Sequence, residues 1–233
     1  MKRSLRCILP TVAIVFVFGA TGVVVVKAQG PLSEVLQRLD TFNKRITTLR
    51  ATVTMAKQNA RLGDDPDITV GTAIYAKRGD GKDALVRIDW KSPQESLAVI
   101  DGKYVMYRPK LAIAYTGSSK NASKNTKGNS ALAFMNMSRA QLKANYDTVL
   151  LSRDATLSDG TKTFQLQLTP KSKTNYKSAE LWVDADGAPR QSKVTENNDD
   201  TTTVLLTNIE ANPKLSGPDF KITIPNGTKV VNS

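Results

Sequence analysis

The chain has no histidine and a single cysteine among its 233 residues. Without histidine it lacks the commonest general base, the commonest neutral metal ligand and every serine–histidine or cysteine–histidine nucleophile. Because Cys7 stands close to the N-terminus, the rest of the chain has no thiol for a disulfide or a thiolate metal site. We therefore expect a protein that is not an enzyme of a familiar type and that holds no cofactor and no metal.

Carboxylates remain as candidate catalytic or metal-binding groups. The densest are Asp64, Asp65 and Asp67 in one stretch, and Asp199 with Asp200 in another. Both stretches are rich in turn-forming residues, and neither has the ligand spacing of an EF-hand loop. We interpret these carboxylates as solvated loop residues. The sequence also has no glycine-rich phosphate loop, zinc signature or nucleophile elbow.

The N-terminal segment predicts export. Basic residues precede an uncharged run from Ile8 to Val26, and the run ends in Val26-Lys27-Ala28, with small residues at the first and third positions. This is the layout of a secretory signal peptide that is cleaved after Ala28. The run is also nearly long enough to cross a bilayer, so an uncleaved N-terminal anchor is the alternative. We expect residues 1–28 to be the signal peptide or anchor, and residues 29–233 to form one domain outside the cytoplasm.

The chain is basic, with 33 Lys and Arg against 21 Asp and Glu and a formal net charge of +12. Positive charge favours acidic partners. In an exported protein these are anionic headgroups or the acidic face of a partner protein. The basic residues are spread along the chain and are not interleaved with aromatics in one stripe, so the sequence does not indicate nucleic-acid binding.

An apolar stripe predicts a helix directly after Pro31. Its residues follow a spacing of three and four, and they are Leu32, Val35, Leu36, Leu39, Phe42, Ile46 and Leu49. Glu34 with Arg38, and Asp40 with Lys44, form i,i+4 pairs on the opposite side. Such a stripe must lie on an apolar surface, which is either a protein core or a ligand-filled cavity.

Beyond residue 51 the apolar period changes to two, which is typical of half-buried antiparallel strands. The first strands contain Val53 with Met55, residues 68–76 and residues 86–90. Further strands are predicted at 96–100, 103–108, 111–116, 147–152, 162–169, 177–184, 190–196, 201–209 and 220–224. The Asp-Gly pairs that begin at Asp101 and Asp186 predict tight hairpin turns. The fold class is thus mainly β, with about ten or eleven strands in a large curled sheet or barrel.

A polar, basic stretch at residues 117–130 interrupts this pattern. It leads into the apolar residues Leu132, Phe134, Met135 and Met137. Ser138 and Gln141 then have the spacing of a capping box at the start of a helix. We predict a second helical patch from about 130 to 145, broken near residues 136–138. Methionine-rich helices serve either as adaptable binding surfaces or as ordinary core.

Short motifs follow one another in a fixed order along most of the chain. They are Tyr75-Ala76-Lys77-Arg78, Ile88-Asp89-Trp90, Pro93-Gln94-Glu95-Ser96, Asp101-Gly102-Lys103, Tyr107, Pro109, Ala133-Phe134-Met135, Leu168-Thr169-Pro170-Lys171 and Pro225-Asn226-Gly227-Thr228-Lys229-Val230. With the helix before them and the β-meander between them, this order resembles the LolA family of periplasmic outer-membrane lipoprotein carriers. The order and spacing of the motifs, more than any single tripeptide, carry the resemblance.

The resemblance implies an incomplete, half-open antiparallel β-barrel whose concave apolar face is closed by an α-helical lid. It also implies that acyl chains of a lipoprotein enter between sheet and lid after an inner-membrane ABC releasing complex hands them over, and that an outer-membrane acceptor receives them. We therefore expect a monomeric periplasmic carrier whose partners are acylated lipoproteins. The same fold could instead carry a glycolipid or another envelope lipid, or act as a lipoprotein-sensing regulator.

We predict a lipid-binding cavity that is lined by residues of both the sheet and the helical lid. From the sheet we select Val53, Ile74, Val86, Ile88, Trp90, Val99 and Met106. From the lid we select Leu36, Leu39, Phe134, Met135 and Met137. The set rests on strand alternation, which fixes the apolar face of each strand. Each single member could instead be plain core.

Two arginines are candidates for the latch with which the family closes its lid, a strand arginine that hydrogen-bonds to the lid helices. Arg78 follows Tyr75-Ala76-Lys77 and matches the family position. An insertion over residues 79–84 makes Arg87 a rival. We favour Arg78; in a third possibility each arginine is a solvated strand residue.

Overall fold

A computed structural model describes residues 30–79, 84–119 and 137–232. The strands within these ranges form one sheet, and two helices lie wholly within them: α1 (Pro31–Arg45) and α2 (Arg139–Asn145). The strands are β1 (Thr48–Gln58), β2 (Asp67–Ala76), β3 (Leu85–Lys91), β4 (Gln94–Ile100), β5 (Lys103–Arg108), β6 (Ile113–Ser118), β7 (Tyr146–Thr156), β8 (Lys162–Pro170), β9 (Tyr176–Asp184), β10 (Pro189–Glu196), β11 (Thr201–Ala211) and β12 (Lys229–Asn232). Short 3-10 turns occupy Pro109–Leu111 and Gly217–Phe220.

The strand order is β12-β6-β5-β4-β3-β2-β1-β11-β10-β9-β8-β7. The first strand is central and pairs with β2 on one side and β11 on the other. All neighbours are antiparallel except β12, which runs parallel to β6. The edge strands β7 and β12 do not pair with each other, so the sheet is open. The prediction of a mainly β, half-open antiparallel fold with helices is confirmed, with twelve strands in the described part of the chain instead of ten or eleven.

The predicted strand at 220–224 is wrong. The chain there makes the 3-10 turn at Gly217–Phe220, buries Phe220 and continues without a strand partner to Pro225. This turn packs across β3 and β4. The last strand lies later, at Lys229–Asn232. Alternating apolar residues in the 220–224 segment mimic a strand, but the segment crosses a sheet face instead of extending an edge.

Turn chemistry places several hairpins as predicted. Asp101 and Gly102 both have positive φ, 51° and 71°, which suits the tight turn between β4 and β5. The start of β6 is later than predicted because the 3-10 turn at Pro109–Leu111 precedes it and Ala112 is left-handed, with φ 48°. The strand therefore spans 113–118 and not 111–116.

The predicted N-terminal helix is confirmed as α1. Pro31 begins it, where a missing N–H costs no hydrogen bond. Val35, Leu36, Leu39 and Phe42 of the stripe are buried, whereas Ile46 and Leu49 lie beyond the end of the helix at Arg45. The solvent side carries the ion pairs Glu34–Arg38 at 2.7 Å and Asp40–Lys44 at 2.8 Å. Such exposed pairs contribute only about 0.3–0.5 kcal/mol each, so packing of the stripe supplies most of the stability of this helix.

The capping box of the second helix is also confirmed. Gln141 N donates to Ser138 Oγ at 3.2 Å, and Ser138 N donates to Gln141 Oε1 at 2.8 Å. The earlier part of the predicted patch, residues 130–136, lies outside the described residues, as does the predicted signal peptide or anchor at 1–28. Among the described residues, no helix has the length and apolar character needed to cross a membrane.

Candidate functional site

The register of the strands decides which side chains share a face of the sheet. Val53 stands opposite Gly71, and Gly71 stands opposite Trp90. The next row is Ala51, Ala73, Ile88, Leu97, Met106 and Tyr115. In the other half, the corresponding row is Met55, Val204, Ser192, Leu181, Leu166 and Leu150. We call the face that carries these three rows the inner face; most of its residues from β6 to β7 are apolar.

Both helices lie on the inner face. Leu36 and Leu39 of α1 and Leu142 of α2 join one buried cluster with inner-face side chains such as Val53 and Ile88. Leu39 and Leu142 are fully buried. Burial of a leucine side chain stabilises the fold by about 1.5–3 kcal/mol, so the contact between helices and sheet is strongly apolar.

Hydrogen bonds join the two helices to each other and to the sheet. Asn43 Nδ2 donates to the carbonyl oxygen of Met137 at 3.2 Å, and an Arg139 amino group donates to Ser33 Oγ at 3.0 Å. The guanidinium of Arg38 donates to the carbonyl oxygen of Ala185 at 2.7 Å. The sequence did not predict these hydrogen bonds, because nothing near a polar helix residue in the chain identifies a partner that is distant in the sequence.

Most of the predicted cavity residues share the inner face. Those on the sheet are Val53, Val86, Ile88, Trp90, Val99 and Met106. On the helical side, Leu36 and Leu39 are buried against them, and Met137 packs on the same cluster. Phe134 and Met135 lie outside the described residues.

The prediction that Ile74 shares this face is wrong. Ile74 stands opposite Arg50 on one side and Arg87 on the other, so its side chain lies on the opposite face, which we call the outer face. The inner face of β2 carries the small residues Gly71 and Ala73 instead. A Cβ on Gly71 would lie 2.5 Å from the backbone oxygen of Asp89 and 3.0 Å from the Trp90 ring, so the close approach of β3, and secondarily the indole, requires a glycine here.

A second buried cluster extends the inner face across β4 to β6. Leu97, Tyr104 and Met106 form it, with Val99 and Tyr115 packed against them. The cluster is separate from the one under α1 and α2. Sequence reasoning selected Val99 and Met106 but missed the two tyrosines, although Tyr104 alternates with Met106 and could have been found by the same period of two.

Two polar pairs interrupt the apolar inner face. Arg108 Nε donates to Glu95 Oε2 at 2.6 Å, and this hydrogen bond raises the pKa of the Arg108 guanidinium. On the other half of the face, the hydroxyls of Tyr146 and Tyr176 are 2.7 Å apart. Burial, together with this hydrogen bond, raises the pKa of Tyr176, so its phenol stays neutral at ordinary pH. Each pair satisfies polar atoms that would otherwise be costly on this surface.

Comparison with known families agrees with this architecture. The family model described as outer membrane lipoprotein carrier protein LolA matches residues 74–223, more than half of the chain. The chain belongs to this family. LolA proteins are a family of binding proteins and not of enzymes, which agrees with a sheet face that is lined by apolar side chains. No match was found among curated proteins.

Solved structures share the LolA-like fold at low identity. An uncharacterized conserved protein from Thermus thermophilus has a TM-score of 0.53 at 13% identity, with 87% of this chain and 99% of that chain covered. MucB has a TM-score of 0.53 at 16% identity, with 84% and 64% covered. The Pseudomonas aeruginosa MucA/MucB complex gives 0.50 at 16%, with 82% and 60% covered. The chain thus spans less than two thirds of those two MucB chains, and these likenesses show the fold alone.

Arg78, the favoured candidate for the latch, lies just after β2. Its guanidinium forms an ion pair with the carboxylate of Asp101 in the β4–β5 turn. Asp101 is largely exposed, and exposed pairs contribute about 0–1 kcal/mol. Among the described residues Arg78 makes no hydrogen bond to α1 or α2. It is therefore held weakly, at the margin of the sheet.

Arg87, the rival, lies on the outer face and fastens the C-terminal segment. One amino group donates to the carbonyl oxygens of Asp219, at 3.1 Å, and Lys221, at 2.8 Å. The guanidinium also pairs with both carboxylate oxygens of Asp89, at 2.9 and 3.2 Å. Asp219 caps its own turn, and the hydrogen bond from the Ser216 backbone lowers the pKa of the Asp219 carboxyl. In the described part of the chain, Arg87 thus bonds to the C-terminal segment and not to α1 or α2.

Proposed function

We propose that this protein is a periplasmic carrier that binds the acyl chains of lipoproteins between the inner face and the helices and ferries them from the inner to the outer membrane. The observation that carries the proposal is the apolar inner face that runs across both halves of the sheet, with α1 and α2 packed on the larger of its two clusters. An inner-membrane ABC complex would load the carrier, and an outer-membrane acceptor would unload it. In this proposal residues 1–28 direct export and residues 29–233 act as one monomeric domain.

The energetics of the inner face support a binding role. An acyl chain of about fifteen methylenes gains about 12 kcal/mol on burial, at about 0.8 kcal/mol per methylene. The hydrogen bonds at Asn43, Arg139 and Arg38 contribute about 0.5–1.5 kcal/mol each. When an acyl chain takes the place of the helix side chains on the sheet, the sheet loses apolar contacts with the helices and gains apolar contacts with the acyl chain. The Asn43 and Arg139 bonds join α1 to the α2 segment and can persist if the helices move together. Bonds between helix and sheet, such as that from Arg38 to Ala185, are therefore the main polar cost, and one acyl chain can offset them.

Native mass spectrometry tests the cargo. The protein purified from the envelope of its own cells should retain an acylated protein, which is identified after release by peptide sequencing. If the protein instead retains a glycolipid consistently and no acylated protein, the lipoprotein assignment is wrong, and the alternative of a glycolipid carrier on the same fold replaces it. A delipidated sample that is reloaded with a purified lipoprotein serves as the positive control.

Release of cargo requires a latch, and we keep Arg78 as the proposed residue because its present partner, Asp101, is exposed and easily exchanged. Arg78→Leu should load cargo normally and transfer it to acceptor membranes about 10-fold more slowly, since it removes the one or two hydrogen bonds that Arg78 would form with the helices after it leaves Asp101. Transfer of a labelled lipoprotein from carrier to acceptor vesicles measures this effect.

Arg87→Leu is the matched control for the latch. It should loosen the C-terminal segment and leave transfer within about 2-fold of the unmodified protein, because Arg87 holds the Asp219 and Lys221 carbonyls. Normal transfer by Arg78→Leu together with slow transfer by Arg87→Leu would reverse the assignment. Normal transfer by both variants would leave the two arginines as solvated strand residues.

A further inference from the structure

The Glu95–Arg108 pair stands on the inner face. Glu95 in β4 is the register partner of Trp90 in β3, so its side chain lies on the same face as the indole. Arg108, the last residue of β5, bonds to Glu95 from the neighbouring strand. A charged pair in this row interrupts a surface that is otherwise suited to hydrocarbon.

The geometry leaves part of the guanidinium available. Arg108 uses Nε for Glu95 and also hydrogen-bonds to the Tyr115 side chain, but one phenolic oxygen cannot accept from all the N–H donors on the two terminal amino groups. The Glu95 side chain is only 14% exposed, whereas that of Arg108 is 39% exposed. The guanidinium carbon lies 5.6 Å from the centre of the Tyr115 ring, whose side chain is also on the inner face. The carboxylate and the ring thus position an accessible guanidinium beside the second apolar cluster.

The charges of the pair select the kind of group that it can bind. The two side chains together carry no net charge, so an anionic group gains from Arg108 and loses from Glu95. An uncharged ester or amide has a carbonyl oxygen that accepts from the guanidinium, and a neighbouring hydroxyl or N–H can donate to Glu95. Buried ion pairs stabilise a fold weakly compared with apolar residues of similar volume, so stability alone gives little reason for this pair.

We propose that Glu95 and Arg108 bind the uncharged ester or amide head of an acyl chain whose hydrocarbon tail lies along the inner face. This inference rests on the proposed function, because it requires that an acyl chain binds there. It adds a defined end to the cavity: the head is held at β4 and β5, and the tail extends under the helices. It also predicts that the protein binds neutral acyl esters and amides more tightly than free fatty acids.

The test compares two ligands on the full protein. Monopalmitoylglycerol, an uncharged ester, and palmitate, a carboxylate, each displace the neutral apolar fluorophore 1-N-phenylnaphthylamine. We expect the unmodified protein to bind the ester more tightly than the carboxylate. In the double variant Glu95→Leu/Arg108→Leu, the Kd for the ester should rise about 10-fold, which corresponds to one hydrogen bond with a charged donor, while the Kd of the fluorophore stays unchanged. The double substitution avoids leaving one buried charge without a partner.

The matched control is Arg50→Leu/Glu210→Leu. This pair, 3.0 Å apart, also joins an arginine to a glutamate across two strands, but Arg50 lies on the outer face beside Ile74. The control should bind all three ligands as the unmodified protein does. Unchanged ester binding by the Glu95/Arg108 variant, or an equal loss in the control, overturns the head site. If the unmodified protein binds no acyl ligand, the proposed function fails as well.

Discussion

Gly187→Ala is expected to lower the free energy of unfolding by about 3 kcal/mol. Gly187 has φ +87°, in the left-handed region that favours glycine, and a Cβ on it would lie 2.2 Å from the carbonyl oxygen of Arg38 in α1. That oxygen is helix backbone, so it cannot move without the helix. The added methyl group therefore displaces α1 from the β9–β10 hairpin and loosens the packing of Leu39 on the inner face.

Urea unfolding followed by circular dichroism measures this loss, and Gly160→Ala provides the matched control. Gly160 has a similar φ of +83°, but no atom lies within 4 Å of the position that a Cβ would take. Its substitution should cost only the backbone strain, about 1 kcal/mol. Equal losses in the two variants would show that the close approach of the hairpin to α1 does not contribute to stability.

Two isoleucines test the assignment of the sheet faces. Ile88→Ala should lower the free energy of unfolding by about 3 kcal/mol, because Ile88 is 3% exposed on the inner face and its removal leaves a cavity under the helices. Ile74→Ala should cost about 1 kcal/mol, since Ile74 is only half-buried on the outer face beside Arg50 and Arg87. The midpoint of urea unfolding, with the slope unchanged, measures both effects.

The outcome of this comparison decides which side of β2 belongs to the inner face. A larger loss for Ile74→Ala than for Ile88→Ala would place the residues around Ile74 on the inner face and would contradict the register. The same two variants also bear on binding. The fluorophore of the displacement assay should bind Ile88→Ala with altered affinity and Ile74→Ala with unaltered affinity, because only Ile88 lies on the proposed binding face.

Features that depend on neighbours in the chain were predictable from the sequence. The stripe of α1 is set by spacings of three and four, and the capping box of Ser138 and Gln141 lies within one helical turn. The Asp101-Gly102 turn needs two residues that tolerate positive φ. In each case the atoms that stabilise the structure are close in the sequence, so a local pattern contains most of the necessary information.

Strand β2 shows why the alternation of apolar residues alone does not predict which side of a strand is buried. Ile68, Val70 and Ile74 make one side of this strand the more apolar, and the sequence therefore favours that side for the core. The neighbouring strand reverses the choice, because Gly71 alone leaves room for the Asp89 backbone oxygen and the Trp90 indole on the inner side. Ile68 is left 63% exposed. Tertiary structure decides which residue is the cross-strand neighbour, and in β2 this neighbour has more influence on which side is buried than the hydrophobicity of the strand itself.

The two arginines and the last strand show the same limit over longer distances. Arg78 and Arg87 are close in the sequence and both suit a latch, but the structure gives one an exposed carboxylate at Asp101 and the other the backbone carbonyls of a segment more than a hundred residues away. The parallel pairing of β12 with β6 likewise joins Lys229 to Ile113. No local pattern indicates such partners.

By itself, the sequence determined a chain that has no histidine and whose only cysteine is Cys7, with an amphipathic helix, a long series of antiparallel strands and the motif order of the LolA family. These properties follow from residue identity and from spacings of two, three and four. Only the tertiary structure decided which strand faces lie under the helices, that the sheet stays open, that Arg87 fastens the C-terminal segment and that Glu95 meets Arg108 on the inner face. Each of these depends on which side chains meet across strands, because volume and charge must match between residues that the chain keeps apart.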